Sequence, residues 1–310
     1  MTVLDVIQRS TEYLGKRGVD SPRLQTELLV AHLLKMPRMQ LYLNFDRPLT
    51  DPELQTLRGL IRRRSQREPL QYIIGSTNFC GLEIVVNQHA LIPRPETELL
   101  AAQGWQFLNQ LSAARGCRSV LQASSQPGGT GEQSAAALDF GTGSGCLAIA
   151  LAAHCAGATV CATDISAQAL ELARQNATRH GLDARIVFFQ GDGFNALPAR
   201  TRFHLIVSNP PYIPTAEIET LQPEVKNHDP RKALDGGQDG LNFYRRLATE
   251  AEPFLADKGK MMLEFGDGQA ESICALFEKQ NWVVEQVVAD YTQRPRILIV
   301  RRAGRTVMAP

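Results

Sequence analysis

The chain has 310 residues, and its 33 Lys and Arg against 32 Asp and Glu give a formal net charge of only +1. That length suits one large domain with a smaller one, and the near-neutral charge argues against the strongly basic class of nucleic-acid-binding proteins. The six cysteines form no C-x-x-C pair, so the sequence predicts neither a disulfide framework nor a zinc site.

No stretch of the sequence has the pattern of a membrane span or a signal peptide. The most apolar stretch, residues 146–162, is interrupted by His154 and Gly157 and is shorter than the roughly 20 residues that cross a bilayer. The N-terminal residues lack an apolar signal-peptide core. We therefore expect a cytoplasmic protein that does not associate with membranes.

Residues 1–75 predict a small bundle of helices that we expect to act as a substrate-recognition domain. Ser21-Pro22 begins a second helix that runs to Leu34. Asp51-Pro52 begins a third helix that ends near Gln66.

A β-hairpin connector at residues 76–97 and an α/β domain at residues 98–310 are predicted to follow. The hairpin would pair two short extended runs, residues 82–86 and 90–92. Residues 112–135 are rich in Ser, Gly, Gln and Ala without periodicity, which predicts a flexible surface loop.

A run of arginines in the third helix allows two interpretations. The arginines could contact a protein or RNA partner, or they could form a solvated helix face. We favour the solvated face, because most such charge runs are exposed to solvent. The residues are Arg58, Arg62, Arg63, Arg64 and Arg67.

A strand, a glycine loop and a helix follow one another between residues 136 and 156. Glycines allow the backbone to turn tightly and approach a ligand, and the helix N-terminus presents N–H groups. Because Cys146 stands where the dinucleotide fingerprint G-x-G-x-x-G has its third glycine, a pyrophosphate site is not favoured. The loop is Gly141-Thr142-Gly143-Ser144-Gly145.

An acidic residue follows the next predicted strand, residues 158–163. Asp164 could accept hydrogen bonds from both hydroxyls of a ribose. Ser166 is a predicted N-cap for a helix that runs to about Arg179. The glycine loop with this acid suits a nucleoside that carries a charged amino-acid tail, such as S-adenosylmethionine. The alternative is an ordinary strand-to-helix turn.

Asn209-Pro210-Pro211-Tyr212 directly follows a predicted buried strand, residues 205–208. The two prolines fix two φ angles and supply no N–H, so the turn is stiff. It can accept two hydrogen bonds from a planar –NH₂ group and cover that group with an aromatic ring. The turn therefore predicts a site for an amide or an exocyclic amine, unless it merely ends the strand. His204 is interpreted as a strand-start residue rather than a catalytic base.

These motifs together resemble the protein-(glutamine-N5) methyltransferases that modify peptide chain release factors. Asn-Pro-Pro-Tyr alone is not specific, because DNA-adenine and some RNA methyltransferases share it. The run Pro93-Arg94-Pro95-Glu96-Thr97-Glu98 is much more specific. The resemblance covers nearly the whole chain and includes residues 68–73, 91–98, 139–145, 164–166, 208–213, 233–237 and 239–241, with Gly75, Asn176, Tyr244 and Arg245.

The resemblance implies an α/β, doubly wound, Rossmann-like domain that transfers a methyl group from S-adenosylmethionine. The acceptor would be the side-chain nitrogen N5 of the glutamine in a release factor's Gly-Gly-Gln motif. The Asn209 side-chain oxygen and the Pro210 carbonyl would accept the two amide N–H bonds, and Tyr212 would pack on the amide plane. Pro211 completes the implied substrate site. The implied cofactor-binding residues are Gly141, Thr142, Gly143, Ser144, Gly145, Asp164, Asp192, Gly193 and Asn209.

The chain departs from the family at two positions. Gly193 stands where the family often has an aromatic ring that covers the adenine, and Phe194 is the candidate to replace it. Asp192 could still contact the adenine amine. His204 stands where the family usually has Asp, and Glu264 closes a later strand without an assigned role.

Two other functions stay open from the sequence. A DNA or RNA amino-methyltransferase could use the same turn, but it would need a flipped base and a cationic groove. A non-enzymatic nucleoside-binding or assembly protein would have no need for an intact Asn-Pro-Pro-Tyr turn. Release factors are therefore the expected partners, and direct binding of nucleic acid is not expected.

Overall fold

The computed structural model describes residues 1–122 and 135–303, which form two compact units. The helical unit comprises residues 1–76, 86–88 and 221–229, and the α/β unit comprises residues 77–85, 89–220 and 230 onward. Among the described residues, no helix is both long enough and apolar enough to cross a bilayer.

The helical unit is built on two helices with complete capping boxes. The Thr2 hydroxyl accepts from the Asp5 N–H, and the Asp5 carboxylate accepts from the Thr2 N–H. Thr50 and Glu53 make the same pair of bonds at the start of the other helix. Apolar residues at helical spacing, such as Leu14, are fully buried between the helices. The helices are α1 (Val3–Lys16), α2 (Pro22–Leu34), α3 (Arg38–Leu41), α4 (Asp51–Ser65), α5 (Leu70–Ile74) and, much later in the chain, α9 (Pro223–His228).

The arginines predicted to lie in the third helix, of which Arg67 follows the end of α4, do not form one solvated face. Arg64 is only 3% exposed, and its Nη2 donates to Glu224 Oε1 at 2.6 Å. Arg67 Nε donates to the same carboxylate at 2.6 Å, and Arg63 pairs with Glu68. The solvated-face interpretation is therefore wrong for Arg64, because a buried guanidinium requires an acidic partner that the sequence supplies far along the chain.

A β-hairpin is present as predicted, but its strands are different. β1 (Ser76–Phe79) pairs with β2 (Leu82–Val85), whereas residues 90–92 are not a strand. Cys80 and Gly81 between the strands have φ of 51° and 78°, the paired positive angles of a tight hairpin turn. The prediction missed β1 because Ser-Thr-Asn is polar, and chose residues 90–92 for their apolarity.

The helix α6 (Pro95–Gln122) covers part of the region predicted to be a loop. Residues 112–122 continue this helix although their composition is rich in small residues. Of the rest of the predicted loop, residues 123–134 lie outside the described residues and residue 135 begins a strand.

Seven strands of the α/β unit, counted over the described residues, form one mixed sheet in the order β5-β4-β3-β6-β7-β9-β8. The first five are parallel, and β9 runs antiparallel to both of its neighbours. This confirms the doubly wound α/β fold. The strands are β3 (Ala135–Phe140), β4 (Ala158–Asp164), β5 (Ile186–Gln190), β6 (Phe203–Ser208), β7 (Leu255–Glu264), β8 (Trp282–Ala289) and β9 (Pro295–Arg302), and the other helices are α7 (Cys146–His154), α8 (Ala167–Arg179), α10 (Asn242–Glu250) and α11 (Ala270–Lys279).

The strand order reverses between β3 and β6, which pair directly through Asp139 and Val207. From β3 the chain continues outward to β4 and β5 on one side, and from β6 it continues to β7 on the other. Crevices that bind ligands in open α/β sheets form at the carboxyl ends of strands at such a reversal. The glycine loop follows β3 and the Asn209 turn follows β6, so the fold brings both motifs to this point.

Candidate active site

A cavity of about 310 Å³ lies at the carboxyl ends of the central strands. That volume is within the usual range for a small-molecule site. The loop after β3, the ends of β4 and β6, and residues 230–233 all contribute to its walls. His89, Ala90 and Leu91, just before the Pro-Arg-Pro run, also line it, and the sequence patterns gave no sign of this.

The glycine loop is tied to the end of β4 by its backbone. The N–H groups of Gly141 and Thr142 both donate to the Thr163 carbonyl at 2.9 Å, and the Gly143 N–H donates to Asp164 Oδ2 at 2.9 Å. Gly141 and Gly143 line the cavity, whereas Thr142 and Ser144 are buried behind it. The loop therefore offers the cavity mainly close-approaching backbone.

Gly145 packs against α8 and does not line the cavity. Its φ is +83°, and a Cβ there would come within 3.0 Å of the Ala173 Cβ on α8. Asn176 on the same helix donates from Nδ2 to the Ser144 carbonyl at 2.9 Å, and it also bonds to Val85. Glycine at this position thus lets α8 support the loop closely.

A buried carboxylate lies under the loop. Asp139 Oδ2 accepts from the Thr142 hydroxyl at 2.6 Å and from the Ala148 N–H at 3.0 Å, so the first turn of α7 is partly capped from within. Asp139 Oδ1 is buried without a hydrogen-bond partner in the described structure. Burial raises the pKa of Asp139 to about 7, against the lowering effect of those two bonds.

Asp164 lines the cavity, and two backbone bonds fix its carboxylate there. Its Oδ1 accepts from the Ser166 N–H and its Oδ2 from the Gly143 N–H, each at 2.9 Å. These bonds fix the carboxylate, and each oxygen keeps a second lone pair for a ligand. Burial raises the pKa of Asp164, and the two N–H bonds oppose that effect. Ser166 caps α8 as predicted by accepting from the Ala169 N–H.

The space beside Gly193 is filled by Phe140 and Arg246. A Cβ on Gly193 would lie 2.8 Å from the Phe140 ring and 2.9 Å from Arg246 Nη2. Arg246 Nη1 donates to Asp192 Oδ1, and the guanidinium lies 6.0 Å from the centre of the Phe140 ring. Asp192, Gly193, Phe140 and Arg246 all line the cavity.

Phe194 does not replace the missing aromatic ring at the cavity. It is 3% exposed, and its ring stacks on Phe254 at 4.8 Å and packs against Phe140 at 4.9 Å. The sequence left open whether Phe194 covers this position, and the structure places its side chain in the hydrophobic core and not among the residues that line the cavity. Phe140, of the same hydrophobic core, and Arg246 line the cavity at this point.

The Asn209 turn forms the opposite wall of the cavity. Asn209, Pro210 and Pro211 line it, while Tyr212 lies behind them against the core. Burial raises the pKa of Tyr212 to about 12. Gln269 supports the turn, since its Nε2 donates to the Tyr212 carbonyl at 2.9 Å and its Oε1 accepts from the Gly266 N–H.

Asn209 is held by two buried residues of other elements. Its Nδ2 donates to Thr97 Oγ1 at 3.0 Å, and Thr97 Oγ1 in turn donates to Glu264 Oε2 at 2.7 Å. Thr97 lies in the first turn of α6 and Glu264 is the last residue of β7, and they are 2% and 1% exposed. Burial raises the pKa of Glu264 to about 7, although the bonds from Thr97 and Asn209 and the charge of Arg296 lower it.

The structure thus brings most of the predicted site residues to one cavity and leaves others behind it. Thr142, Ser144, Gly145 and Tyr212 support the walls and do not line them. His204 is a strand residue whose Nδ1 accepts from the Ala136 N–H at 3.0 Å. Across residues 1–122 and 135–303, no cluster of three His, Cys, Asp or Glu residues is placed to hold a metal ion.

Comparison with known proteins places this cavity in a methyltransferase. Residues 5–75 match the model of the PrmC N-terminal domain, and residues 119–224 match that of the methyltransferase small domain. The release factor glutamine methyltransferase of Geobacter sulfurreducens is 44% identical over 91% of this chain and 90% of its own. The enzyme of that name from Chlorobaculum tepidum is 40% identical over 95% of both chains. The chain belongs to the release factor glutamine methyltransferase family.

Membership of this family confirms the resemblance seen in the sequence, and the nucleic-acid amino-methyltransferase alternative is not favoured. Among solved structures, the hMettl16 catalytic domain in complex with MAT2A 3′UTR hairpin 6 matches with a TM-score of 0.51 over 84% of this chain and 85% of that one. At 15% identity this likeness shows a shared methyltransferase fold and nothing about the substrate.

Proposed function

We propose that this protein transfers the methyl group of S-adenosylmethionine to the N5 nitrogen of the glutamine in the Gly-Gly-Gln motif of peptide chain release factors. The observation that carries the proposal is the Asn209 turn, whose Asn209 and Pro210 line one cavity together with Asp164. Its family relatives carry the name of this activity. Because release factors act on ribosomes, the proposal places the enzyme in the cytosol.

The residues on the β4 side fit the proposed cofactor. Asp164 has free lone pairs for two ribose hydroxyls, and Asp192 offers a carboxylate for an adenine amine. Gly141 and Gly143 let the backbone approach a ligand. When bound, S-adenosylmethionine supplies a methyl group that its sulfonium already activates.

The residues on the β6 side would act on the acceptor amide, whose low nucleophilicity makes the reaction difficult. An amide nitrogen delocalises its lone pair into the carbonyl and is a poor nucleophile. Asn209 Oδ1 and the Pro210 carbonyl would accept both amide N–H bonds, hold the nitrogen about 3–3.5 Å from the methyl carbon, and favour the positive charge that grows on it.

We assign recognition of the whole release factor to the helical unit. A cleft of about 360 Å³ within it is lined by Tyr13 and by Arg9, Arg58 and Arg62. In the part of the chain that the structure describes, these three arginines make no ion pair, so they are available to an acidic surface. Arg58→Glu with Arg62→Glu should raise KM for an intact release factor and leave KM for a short Gly-Gly-Gln peptide unchanged.

The activity is tested by incubating the protein with labelled S-adenosylmethionine and one of three acceptors. An intact release factor should become labelled, whereas its variant with Ala in place of the Gly-Gly-Gln glutamine should not. Peptide mass spectrometry should place the added methyl group on that glutamine. Label on single-stranded DNA or RNA instead would support an amino-methyltransferase and overturn the proposal.

A further inference from the structure

We propose that Thr97 and Glu264 are positioning residues that hold the Asn209 carboxamide with its oxygen toward the cavity. This inference rests on the proposed function, because an acceptor amide requires hydrogen-bond acceptors at this wall. Neither residue lines the cavity, and both act through Asn209.

A carboxamide has two faces of similar shape but opposite hydrogen-bonding character. With its oxygen toward the cavity, Asn209 accepts a bond from the substrate, and with its nitrogen there it would present two more donors to a group that is itself a donor. Nothing in the shape of the side chain favours one orientation. The choice has to come from what the other end of the amide meets.

The direction of the hydrogen bonds sets that choice. An ionised Glu264 carboxylate can only accept, so the Thr97 hydroxyl must give its single proton to Glu264 Oε2. The Thr97 oxygen is then left only with lone pairs, and the group it faces has to be the Asn209 Nδ2 at 3.0 Å. The amide oxygen is therefore turned toward the cavity.

Burial makes this orientation strict. Thr97 and Glu264 are 2% and 1% exposed, so water does not offer either group a substitute partner. Their bond joins the start of α6 to the end of β7, 167 positions apart in the chain. The register of β6 with β7 pairs Ser208 with Leu263, which sets the next residues, Asn209 and Glu264, side by side.

Protonation of Glu264 reverses the direction of both hydrogen bonds in this Glu264–Thr97–Asn209 relay. A protonated Glu264 can donate to Thr97 Oγ1, and the Thr97 proton is then free to point at Asn209, where it favours the amide oxygen over the nitrogen. The acceptor would be turned away from the cavity. Because the pKa of Glu264 is raised to about 7, the competent orientation is present above that pH and is lost as the pH falls through it.

The charged and titratable groups around Glu264 lie on four parts of the chain. Arg296 on β9 favours the ionised form, and Glu96 at the start of α6 disfavours it. Tyr212 after β6 and Tyr244 on α10 also face it, with the Tyr244 hydroxyl donating to the Glu264 main-chain carbonyl at 2.7 Å. Arg296 Nε is also 3.4 Å from Asp290 Oδ2, so the positive charge of Arg296 is shared between Asp290 and Glu264.

Substitution at Thr97 tests the relay, since Val replaces only the Thr hydroxyl group with a methyl and Ser removes only the Thr methyl. Thr97→Val should lower kcat with a release factor by about tenfold to a hundredfold, while the dissociation constant for S-adenosylmethionine stays as in the wild type. Thr97→Ser should remain within about threefold of wild-type kcat. Thr26→Val is the matched control, at a buried threonine of the helical unit whose hydroxyl has no hydrogen-bond partner among the residues that the structure describes.

The pH profile separates this role from a merely structural one. Wild-type kcat should fall below a pH of about 7, and Glu264→Gln should remove that fall, because a glutamine oxygen accepts from Thr97 at every pH. The Asn209 side-chain amide signal in ¹⁵N NMR, assigned by its loss in Asn209→Asp, should shift with the same midpoint and should not shift in Glu264→Gln, which has no ionisable group at this position.

Two results would overturn the relay. One is a Thr97→Val enzyme whose kcat equals that of Thr26→Val. The other is a Glu264→Gln enzyme whose kcat still falls at low pH as the wild-type kcat does. A wild-type protein that labels no release factor would count against the proposed function instead. The NMR titration still tests the relay in that case, since it needs no turnover.

Discussion

The two walls of the cavity are built in different ways. On the β3–β4 side the loop is held by backbone bonds to Thr163 and by close packing of Gly145 on α8. On the β6 side the turn is held by two prolines and by side chains, with Asn209 tied to Thr97 and Tyr212 tied to Gln269. The loop of the β3–β4 wall offers the cavity mainly backbone, whereas the β6 wall presents the polar side chain of Asn209.

This difference suits two different tasks. A cofactor of many atoms can be bound by several weak contacts, so the loss of one contact lowers affinity by a limited amount. An amide nucleophile must be oriented within a fraction of an ångström, and that orientation depends on very few groups. Substitutions on the β6 wall should therefore affect turnover, and those on the β3–β4 wall should affect cofactor binding.

The largest effect is expected for Asn209→Ala. The loss of one positioned acceptor in a desolvated site raises a barrier by ~2.7–4 kcal/mol, so transfer should fall by two to three orders of magnitude. Single-turnover kinetics measures this, and calorimetry should show nearly unchanged cofactor affinity. Asn109→Ala, on α6 away from the cavity, is the control. Near-normal turnover in Asn209→Ala would remove Asn209 from the acceptor site.

Asp164→Ala should have a somewhat smaller effect, and on binding instead of turnover. Charge-assisted bonds to ribose hydroxyls are lost, which should weaken S-adenosylmethionine binding by about 2–3 kcal/mol. Titration calorimetry measures the dissociation constant, and a melting curve checks that the loop still folds without the bonds to Gly143 and Ser166. Asp183→Ala, at an exposed aspartate, should bind normally. Equal affinity in both variants would show that Asp164 does not contact the cofactor.

The smallest effect, and the sharpest test of the β3–β4 wall, is expected for Arg246→Ala. If its guanidinium and the Phe140 ring cover the adenine in place of the aromatic missing at Gly193, affinity should fall by about 1 kcal/mol. Arg245→Ala changes the adjacent arginine, which pairs with Asp239 at the surface, and should bind as the wild type does. Binding of adenosine should be weakened by the same factor as that of S-adenosylmethionine. An equal loss from both arginine variants would point to a general charge effect.

The sequence predicted those parts of the site that lie on one continuous stretch of chain. The β-branched run before Asn209 and the strand before Gly141 placed both motifs at strand ends, and the parallel sheet then brought them together. The acid at Asp164 was found in the same way. In each case the local pattern of apolar residues carried the information.

The parts that could not be predicted depend on pairs that are distant in sequence. Thr97 reaches Asn209 across 112 positions, and Arg64 reaches Glu224 across 160. No local pattern distinguishes Glu264 from any other acid at the end of a strand. The sequence could not decide where the Phe194 ring lies, because a single position decides whether a ring faces the cavity or the core.

The origin of Glu224 in a late part of the chain has a consequence for the protein's own synthesis. Arg64 and its neighbours leave the ribosome long before residues 221–229, which complete the helical unit. At about 5–20 residues per second, the 160 positions between Arg64 and Glu224 take roughly 10–30 s to translate. During that interval the nascent bundle has an arginine at a position that is buried in the finished unit, and the carboxylate that binds it has not yet been made. We therefore expect the helical unit to reach its final stability only after the turn at Asn209 has already been synthesised.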